Sequence, residues 1–230
     1  MKPFSPIRTG FLTAIPLMLG YFPIALSFGI AATRAGLSPT EAVLFSVIIF
    51  AGAAQFLALA LVTSGAPLAV SVLTLAAMNL RHVIYGPALL EKAGKAARTR
   101  YSWAWGWGLT DEVFAAMLGA MARGLPFSEA FIGTLGLGAY AAWIAGTAVG
   151  ALVGGEALRA FPVVDAGLGF MLPALFLALL LSILERRQIP TVAAAALATA
   201  AGTLLASPTL GILAGILFGA TLGTLRKATA

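Results

Sequence analysis

Apolar runs of about twenty residues, separated by short connections, occupy most of the chain. They lie near 11–33, 41–63, 66–90, 103–122, 128–154, 163–184, 188–206 and 208–225. A transmembrane helix needs about 20 mostly apolar residues, so each run is a candidate span. Gly and Pro sit in many of the connections, as at Gly36-Leu37-Ser38-Pro39, Gly65-Ala66-Pro67, Gly124-Leu125-Pro126 and Ser207-Pro208. The strands of a β-barrel would alternate apolar and polar residues over about ten positions; these runs do not. The expected fold is all-α: a polytopic helical membrane bundle of seven or eight spans, one domain over residues 1–230. Composition closes the other routes. Charged residues make up 10% of the chain and hydrophobic ones 60%, whereas a soluble domain carries about 25% charge. Disorder needs low hydrophobicity and high charge. Absence of cysteine excludes disulfides and thiolate metal sites. The net charge of +6 is carried mostly between apolar runs, where membrane proteins keep Lys and Arg, so it is no nucleic-acid signal. Lys2 and Arg8 ahead of the first run imitate a signal peptide. That run is too long for a typical h-region and no clean A-x-A site follows, so it reads as the first span.

Orientation is balanced in the eight-span arrangement. One side receives Lys2, Arg8, Arg123, Arg186, Arg187, Arg226 and Lys227; the other receives Arg34, Lys92, Lys95, Arg98, Arg100 and Arg159. The positive-inside rule cannot choose between them. If 66–90 were re-entrant, the basic cluster at 92–100 would change sides and seven spans would remain. A short internal match, Arg34-Ala-Gly-Leu-Ser-Pro-Thr-Glu41-Ala against Arg123-Gly-Leu-Pro-Phe-Ser-Glu129-Ala, is consistent with an inverted repeat, common in secondary transporters. Small residues recur every fourth position at Gly138, Ala142, Gly146, Gly150 and Gly154, at Gly211, Gly215, Gly219 and Gly223, and at Ala194, Ala198, Gly202 and Ala206. Such faces allow close helix contact, either within the chain or with another membrane subunit.

Most charges lie at the ends of the runs, and a few do not. Arg81, Asp111 and Glu112 fall well inside apolar segments, with the only histidine, His82, next to Arg81. A charge at the bilayer centre costs roughly 2.5–3.5 kcal/mol on insertion scales, so these groups should face the bundle interior or a water-filled cavity. One reading is an ion pair of Arg81 with Asp111 or Glu112 that holds helices together. The other is a transport site, and the two are compatible. Two adjacent carboxylates cannot both ionise cheaply in a low dielectric, and a proton-coupling group needs that property. His82 reads either as a buried, hydrogen-bonded imidazole or as a proton relay. Asn79, His82 and Gly86 share a helix face. Trp107 is one turn from Asp111, in a Trp103-x-Trp105-x-Trp107 series that also fits an interfacial belt.

Broken helices are expected as well. Pro16 and Pro23 sit inside the first run, and each removes a backbone donor. A helix unwound there would expose polar backbone, which is tolerated at depth only beside protein or a cavity. Gln55 is the lone strongly polar side chain in Phe50-Ala-Gly-Ala-Ala-Gln55-Phe56. A zwitterionic amino acid suits such a place. Arg81 or freed N–H groups near Pro23 would take its carboxylate, carbonyls or a carboxylate would take its ammonium, and Phe and Leu would surround an aliphatic tail.

The segments Gly20-Tyr-Phe-Pro23 with Phe28-Gly29, Phe50-Ala-Gly-Ala-Ala-Gln55-Phe56, Asn79-Leu-Arg81-His82 and Thr110-Asp111-Glu112, together with Gly36-Leu37-Ser38 and Glu41-Ala42, resemble the AzlC-type family, the large subunit of branched-chain amino acid exporters. The resemblance covers roughly the first 120 residues with specific motifs. Ala25 stands where the family more often carries Gly. It implies a multi-pass secondary transporter of the inner, cytoplasmic membrane, exporting valine, leucine, isoleucine or related amino acids, with a small hydrophobic AzlD-type partner subunit. Residues themselves add a proton-coupled reading: Arg81, Asn79, Gln55, Pro23 and Trp107 bind substrate, and Asp111, Glu112 and His82 couple protons. No cofactor or metal site is expected. An intramembrane enzyme is disfavoured, with no H-E-x-x-H, G-x-S-x-G or Gly-x-Gly-Asp. A channel would need a filter-like repeat or ring of charge. The competing readings are a transporter or channel for another solute, and a non-transporting scaffold subunit.

Overall fold

The computed structural model describes residues 5–94, 99–153 and 184–228, with isolated positions between 161 and 181. The sixth predicted span lies mostly outside the described residues, as do Lys95, Arg98, Gly154 and Arg159. Every regular element among the described residues is helical, as the apolar runs require. Among the described residues, four helices are long and apolar enough to cross a membrane: Pro6–Arg34, Leu68–Ala93, Glu129–Val153 and Arg186–Leu205. Two compact units are present, Met1–Thr63 with Leu75–Leu172, and Ser64–Thr74 with Pro173–Ala230.

The first unit is built on α1 (Pro6–Arg34) and α7 (Glu129–Val153). Glycine faces set their packing. A Cβ on Gly10 would stand 2.6 Å from the Phe131 carbonyl oxygen, and one on Gly138 would stand 2.9 Å from the Ala14 Cβ. Further along, Cβ atoms on Gly146 and Gly150 would reach 2.4 Å from the Phe22 oxygen and 2.0 Å from the Leu26 oxygen. The partners climb in the same order on both helices, so α1 and α7 run parallel with backbones in contact. The predicted ridge on the fifth run is therefore used within the chain, as dispersion-driven helix association in lipid favours.

Pro16 and Pro23 lie inside a continuous α1, which corrects the expectation of a break there. Each proline costs one backbone hydrogen bond, and α7 holds the helix along its length on either side. The breaks occur elsewhere. Run 41–63 folds as α2 (Pro39–Ile48) and α3 (Gly52–Thr63), and run 103–122 as α5 (Ser102–Trp107) and α6 (Asp111–Ala122). At 1.5 Å per residue, α2 is about 15 Å long, half a hydrocarbon core.

Both pairs double back. Phe28 of α1 packs against Phe45 of α2 and also against Phe56 of α3, at ring distances of 5.9 and 5.2 Å. Ala42 and Leu59 join the same buried cluster with Ala32 and Ala151. The α2–α3 hairpin thus starts and ends at the C-terminal end of the α1–α7 pair. In the α5–α6 hairpin, entry and exit meet at Glu129. Its carboxylate accepts the backbone N–H of Arg100 (3.0 Å) and Tyr101 (2.9 Å), and Trp105 packs on Phe127 (5.8 Å). This hairpin inserts from the opposite end. Between the two runs α4 (Leu68–Ala93), a continuous helix rather than a re-entrant segment. Arg81 stands beside Asp111 and Tyr85 beside Phe114, so α4 tracks α6 and runs against α7.

Hairpin followed by long helix therefore occurs twice, in opposite directions: α2–α3–α4 and α5–α6–α7. The inverted repeat is present in the architecture, with boundaries other than the sequence match gave. That match encodes two equivalent helix stops. Gly36 (φ 97°) and Gly124 (φ 86°) occupy the left-handed region where glycine is unstrained. Leu37 N–H donates to the Ala32 oxygen and Leu125 N–H to the Ala120 oxygen, the 6→1 bond of a Schellman motif. Ser38 then caps α2 in a capping box with Glu41.

In the second unit, α8 (Ile189–Leu205) and α9 (Pro208–Ala228) form an antiparallel pair. Of the Ala194, Ala198, Gly202 and Ala206 ridge, Gly202 meets Gly211, and the other α9 glycines face Ala195, Thr199 and Thr191.

Candidate functional site

The two hairpin tips meet at Tyr21, in the middle of α1. Tyr21 is 6% exposed. Its ring lies 6.1 Å from that of Phe50, at the α2–α3 tip, and 5.5 Å from that of Trp143 on α7. Its hydroxyl is 2.5 Å from the Thr110 Oγ1, at the α5–α6 tip, and donates to Glu112. Phe50 also touches Trp107 (6.0 Å) and Tyr140 (5.1 Å). One aromatic cluster thus joins both tips to α1 and α7.

The α5–α6 tip is shaped by Thr110, the N-cap of α6. Thr110 Oγ1 accepts the Val113 N–H at 3.3 Å, satisfying one free donor of the first turn. Asp111 and Glu112 occupy that first turn, where the partial positive charge of a helix N-terminus favours carboxylates. Gly108 seats the tip on α7: a Cβ on Gly136 would come 3.2 Å from its oxygen. The two acids then diverge. Asp111 turns to α4, pairing with Arg81 (2.9 Å) and accepting the Tyr85 hydroxyl. Glu112 turns to α1 and accepts Tyr21. The Arg81 and Asp111 side chains remain 43% and 41% exposed.

The α2–α3 tip is held by buried hydrogen bonds. Gln55 is fully buried, accepts the Trp143 Nε1–H (2.8 Å) and donates to the Ser46 Oγ (2.5 Å). Ser46 in turn meets the Thr147 Oγ1 at 2.7 Å. Tyr140 donates to the Val47 carbonyl (2.9 Å), one of the acceptors left open where α2 ends. The Trp143 ring occupies the space above Gly52, where a Cβ would lie 2.8 Å from it.

Of the residues singled out by sequence, the structure brings Arg81, Asp111, Glu112 and His82 to one side of the α5–α6 tip. The His82 ring packs edge-on to Tyr85 (5.2 Å), and its Nδ1 lies 3.2 Å from the Asn79 carbonyl oxygen. Trp107 lies on the other side of the tip, lining an apolar cleft of about 540 Å³ with Gly108, Gly136, Leu137 and Tyr140. Gln55 is engaged in tip packing, Asn79 donates to the Leu75 carbonyl of its own helix (2.9 Å), and Pro23 sits in unbroken helix. Sequence reasoning missed Tyr21, Tyr85, Ser46, Tyr140, Trp143 and Thr147. One signal was available: Thr110-Asp111-Glu112 is an N-cap followed by acids in the first turn, a helix start.

Three long helices with two opposed hairpins, whose tips close on a charged centre, define a helical membrane protein with discontinuous helices at its core. The chain belongs to the AzlC family: the profile described as AzlC protein matches residues 16–156. It is 42% identical over 207 residues to "Inner membrane protein YgaZ" of Escherichia coli (strain K12), covering 90% of this chain and 84% of that protein. An "Uncharacterized membrane protein" of Archaeoglobus fulgidus is 35% identical over 212 residues, with 92% and 91% covered. "Branched-chain amino acid transport protein AzlC" of Bacillus subtilis (strain 168) is 28% identical over 176 residues, with 76% and 66% covered. No solved structure matches the chain.

Proposed function

We propose that this protein is a proton-coupled secondary transporter that exports branched-chain, apolar amino acids across the cytoplasmic membrane, as one domain over residues 1–230 working with a small AzlD-type subunit. The observation that carries the reading is the half-exposed Arg81–Asp111 pair at the tip of a discontinuous helix. A zwitterion is the complement of an ion pair. Its carboxylate takes the Arg81 fork and its ammonium takes Asp111. Paired discontinuous helices at an inverted repeat are where transporters place substrate. Gln55, Asn79 and Pro23 support this site through tip packing and helix structure, and His82 adjoins the coupling acids through Tyr85. The transport name carried by the Bacillus subtilis relative agrees.

The hairpins also supply an orientation. Because both double back, Arg8, Lys92, Arg100 and Arg123 lie at one end of the first unit, and Arg34 at the other. The positive-inside rule then puts the N-terminal end of α1 in the cytoplasm. The test is counterflow of labelled leucine in proteoliposomes containing the chain and its partner subunit. Leucine-dependent exchange is expected, and its absence would sink the proposal.

A further inference from the structure

The two adjacent carboxyls differ in their partners, and we infer that they divide the work: Asp111 is the fixed counter-charge of Arg81, and Glu112 is the group that takes up and releases the transported proton, reporting its state through Tyr21 to the Thr110 cap. This rests on the transport reading above. Asp111 lies 2.9 Å from a guanidinium and also accepts Tyr85. A carboxylate held by a permanent cation favours its charged form. No cation forms an ion pair with Glu112 among the described residues. Its hydrogen-bond partner is the neutral hydroxyl of Tyr21, which can donate to the carboxylate or accept from the acid.

The surroundings of Glu112 contain few other charges. From α1 comes Tyr21, from α6 come Thr110 and Asp111, and from α4 come Tyr85 and Arg81, the last engaged by Asp111, with His82 packed behind the Tyr85 ring. Glu112 therefore has hydrogen bonds and a helix N-terminus for support and, among the described residues, no cation of its own.

Protonation then has a structural consequence. With Glu112 ionised, the Thr110 hydroxyl donates to Tyr21 and the Tyr21 hydroxyl donates to Glu112. Adding one proton from water gives Glu112 an O–H, which donates to the Tyr21 oxygen. The Tyr21 proton then turns to Thr110, and the Thr110 proton must find another acceptor. One proton is gained, no other O–H bond breaks, and the whole chain reverses polarity. Its far end is the oxygen that caps α6 at Val113, and Tyr21 also touches Phe50 of the other hairpin. The proton state of Glu112 is thus read at the cap of α6.

The test is infrared difference titration of the full-length protein in proteoliposomes across about pH 5 to 8, with leucine counterflow measured on the same samples. The wild type should show one titrating carboxylic-acid band. That band should be lost in Glu112→Gln, kept in Asp111→Asn and shifted in Tyr21→Phe, which removes the hydroxyl and leaves the ring. Persistence of the band in Glu112→Gln, its loss in Asp111→Asn, an unshifted band in Tyr21→Phe, or no band in the wild type overturns the assignment. The Tyr21→Phe arm decides the matter alone if the charge variants fail to fold. Counterflow without the band pattern refutes the division of labour only; the pattern without counterflow refutes the exporter reading only.

Discussion

Gly150→Ala tests the packing on which both hairpins depend. The added Cβ would stand 2.0 Å from the Leu26 carbonyl oxygen and 2.8 Å from its carbonyl carbon. Neither atom belongs to a flexible side chain. Ordinary contact begins near 3.4 Å, so α1 and α7 must part locally by about 1.4 Å. A gap of 0.5–1 Å already forfeits a quarter to a half of each dispersion contact, worth about 0.1–0.2 kcal/mol apiece. Roughly twenty contacts around Gly146, Gly150 and Gly29 then lose about 1–2 kcal/mol, in line with the 1–3 kcal/mol typical of overpacking. The control is Gly133→Ala in the same helix, where nothing lies within 4 Å of the new Cβ. There the alanine should gain roughly 0.5–1 kcal/mol of helix stability. The alanine gain is common to both, so the two variants should differ by about 1–2 kcal/mol, or about 2–8 °C in Tm for a chain of this size. Thermal unfolding in detergent, followed by tryptophan fluorescence, reads the difference. A Gly150→Ala protein as stable as Gly133→Ala would refute backbone contact between α1 and α7.

Three further outcomes follow from the site. Gln55→Leu leaves the buried Trp143 N–H without its acceptor and should cost about 1–3 kcal/mol, seen as a lower Tm. Thr110→Ala removes the α6 cap and should cost about 1 kcal/mol, with Thr110→Ser restoring stability in the same unfolding assay. Arg81→Gln and Asp111→Asn should each abolish leucine counterflow, and a double-mutant cycle on thermal stability should give a coupling of about 1 kcal/mol, the modest value expected of a half-exposed pair.

What the sequence made legible follows from which signals are local. Apolar run length is a local property, and it located α1, α4 and α7 to within a few residues. Four-residue glycine spacing is local as well, and it identified the faces by which α7 and α9 pack. The direction of the chain after Phe50 or Gly108 is not local. Run 41–63 is apolar enough to cross, and nothing in its hydropathy distinguishes one helix of 23 residues from two that double back. That difference is set by the Ser46–Gln55 and Trp143–Gln55 hydrogen bonds and by Phe28 packing on both arms, contacts between residues up to 88 positions apart. Proline misled for the complementary reason. It marks a lost hydrogen bond, and a long helix packed against a partner absorbs such a loss without unwinding. Arg81, Asp111 and Glu112 were legible because charge at depth is costly wherever the chain goes. Tyr21 and Tyr85 were not, since a tyrosine among apolar residues carries no sign of whether its hydroxyl meets an acid.

The break before Asp111 and the acids after it form one device. Were residues 102–122 a continuous helix, Asp111 and Glu112 would sit in its interior, where every backbone N–H is already bonded and the peptide dipoles present no positive end. Two adjacent carboxylates there would have only Arg81 for compensation. Ending α5 at Gly108 and starting α6 at Thr110 puts both acids in a first turn instead. The free N–H groups and the helix dipole each favour negative charge there, by typically 0.3–1 kcal/mol per group. The same break frees Thr110 to cap the helix and to meet Tyr21. A change in the charge on Glu112 therefore acts on the element that makes the charge tolerable, which is why proton uptake and the position of the hairpin tip are expected to move together.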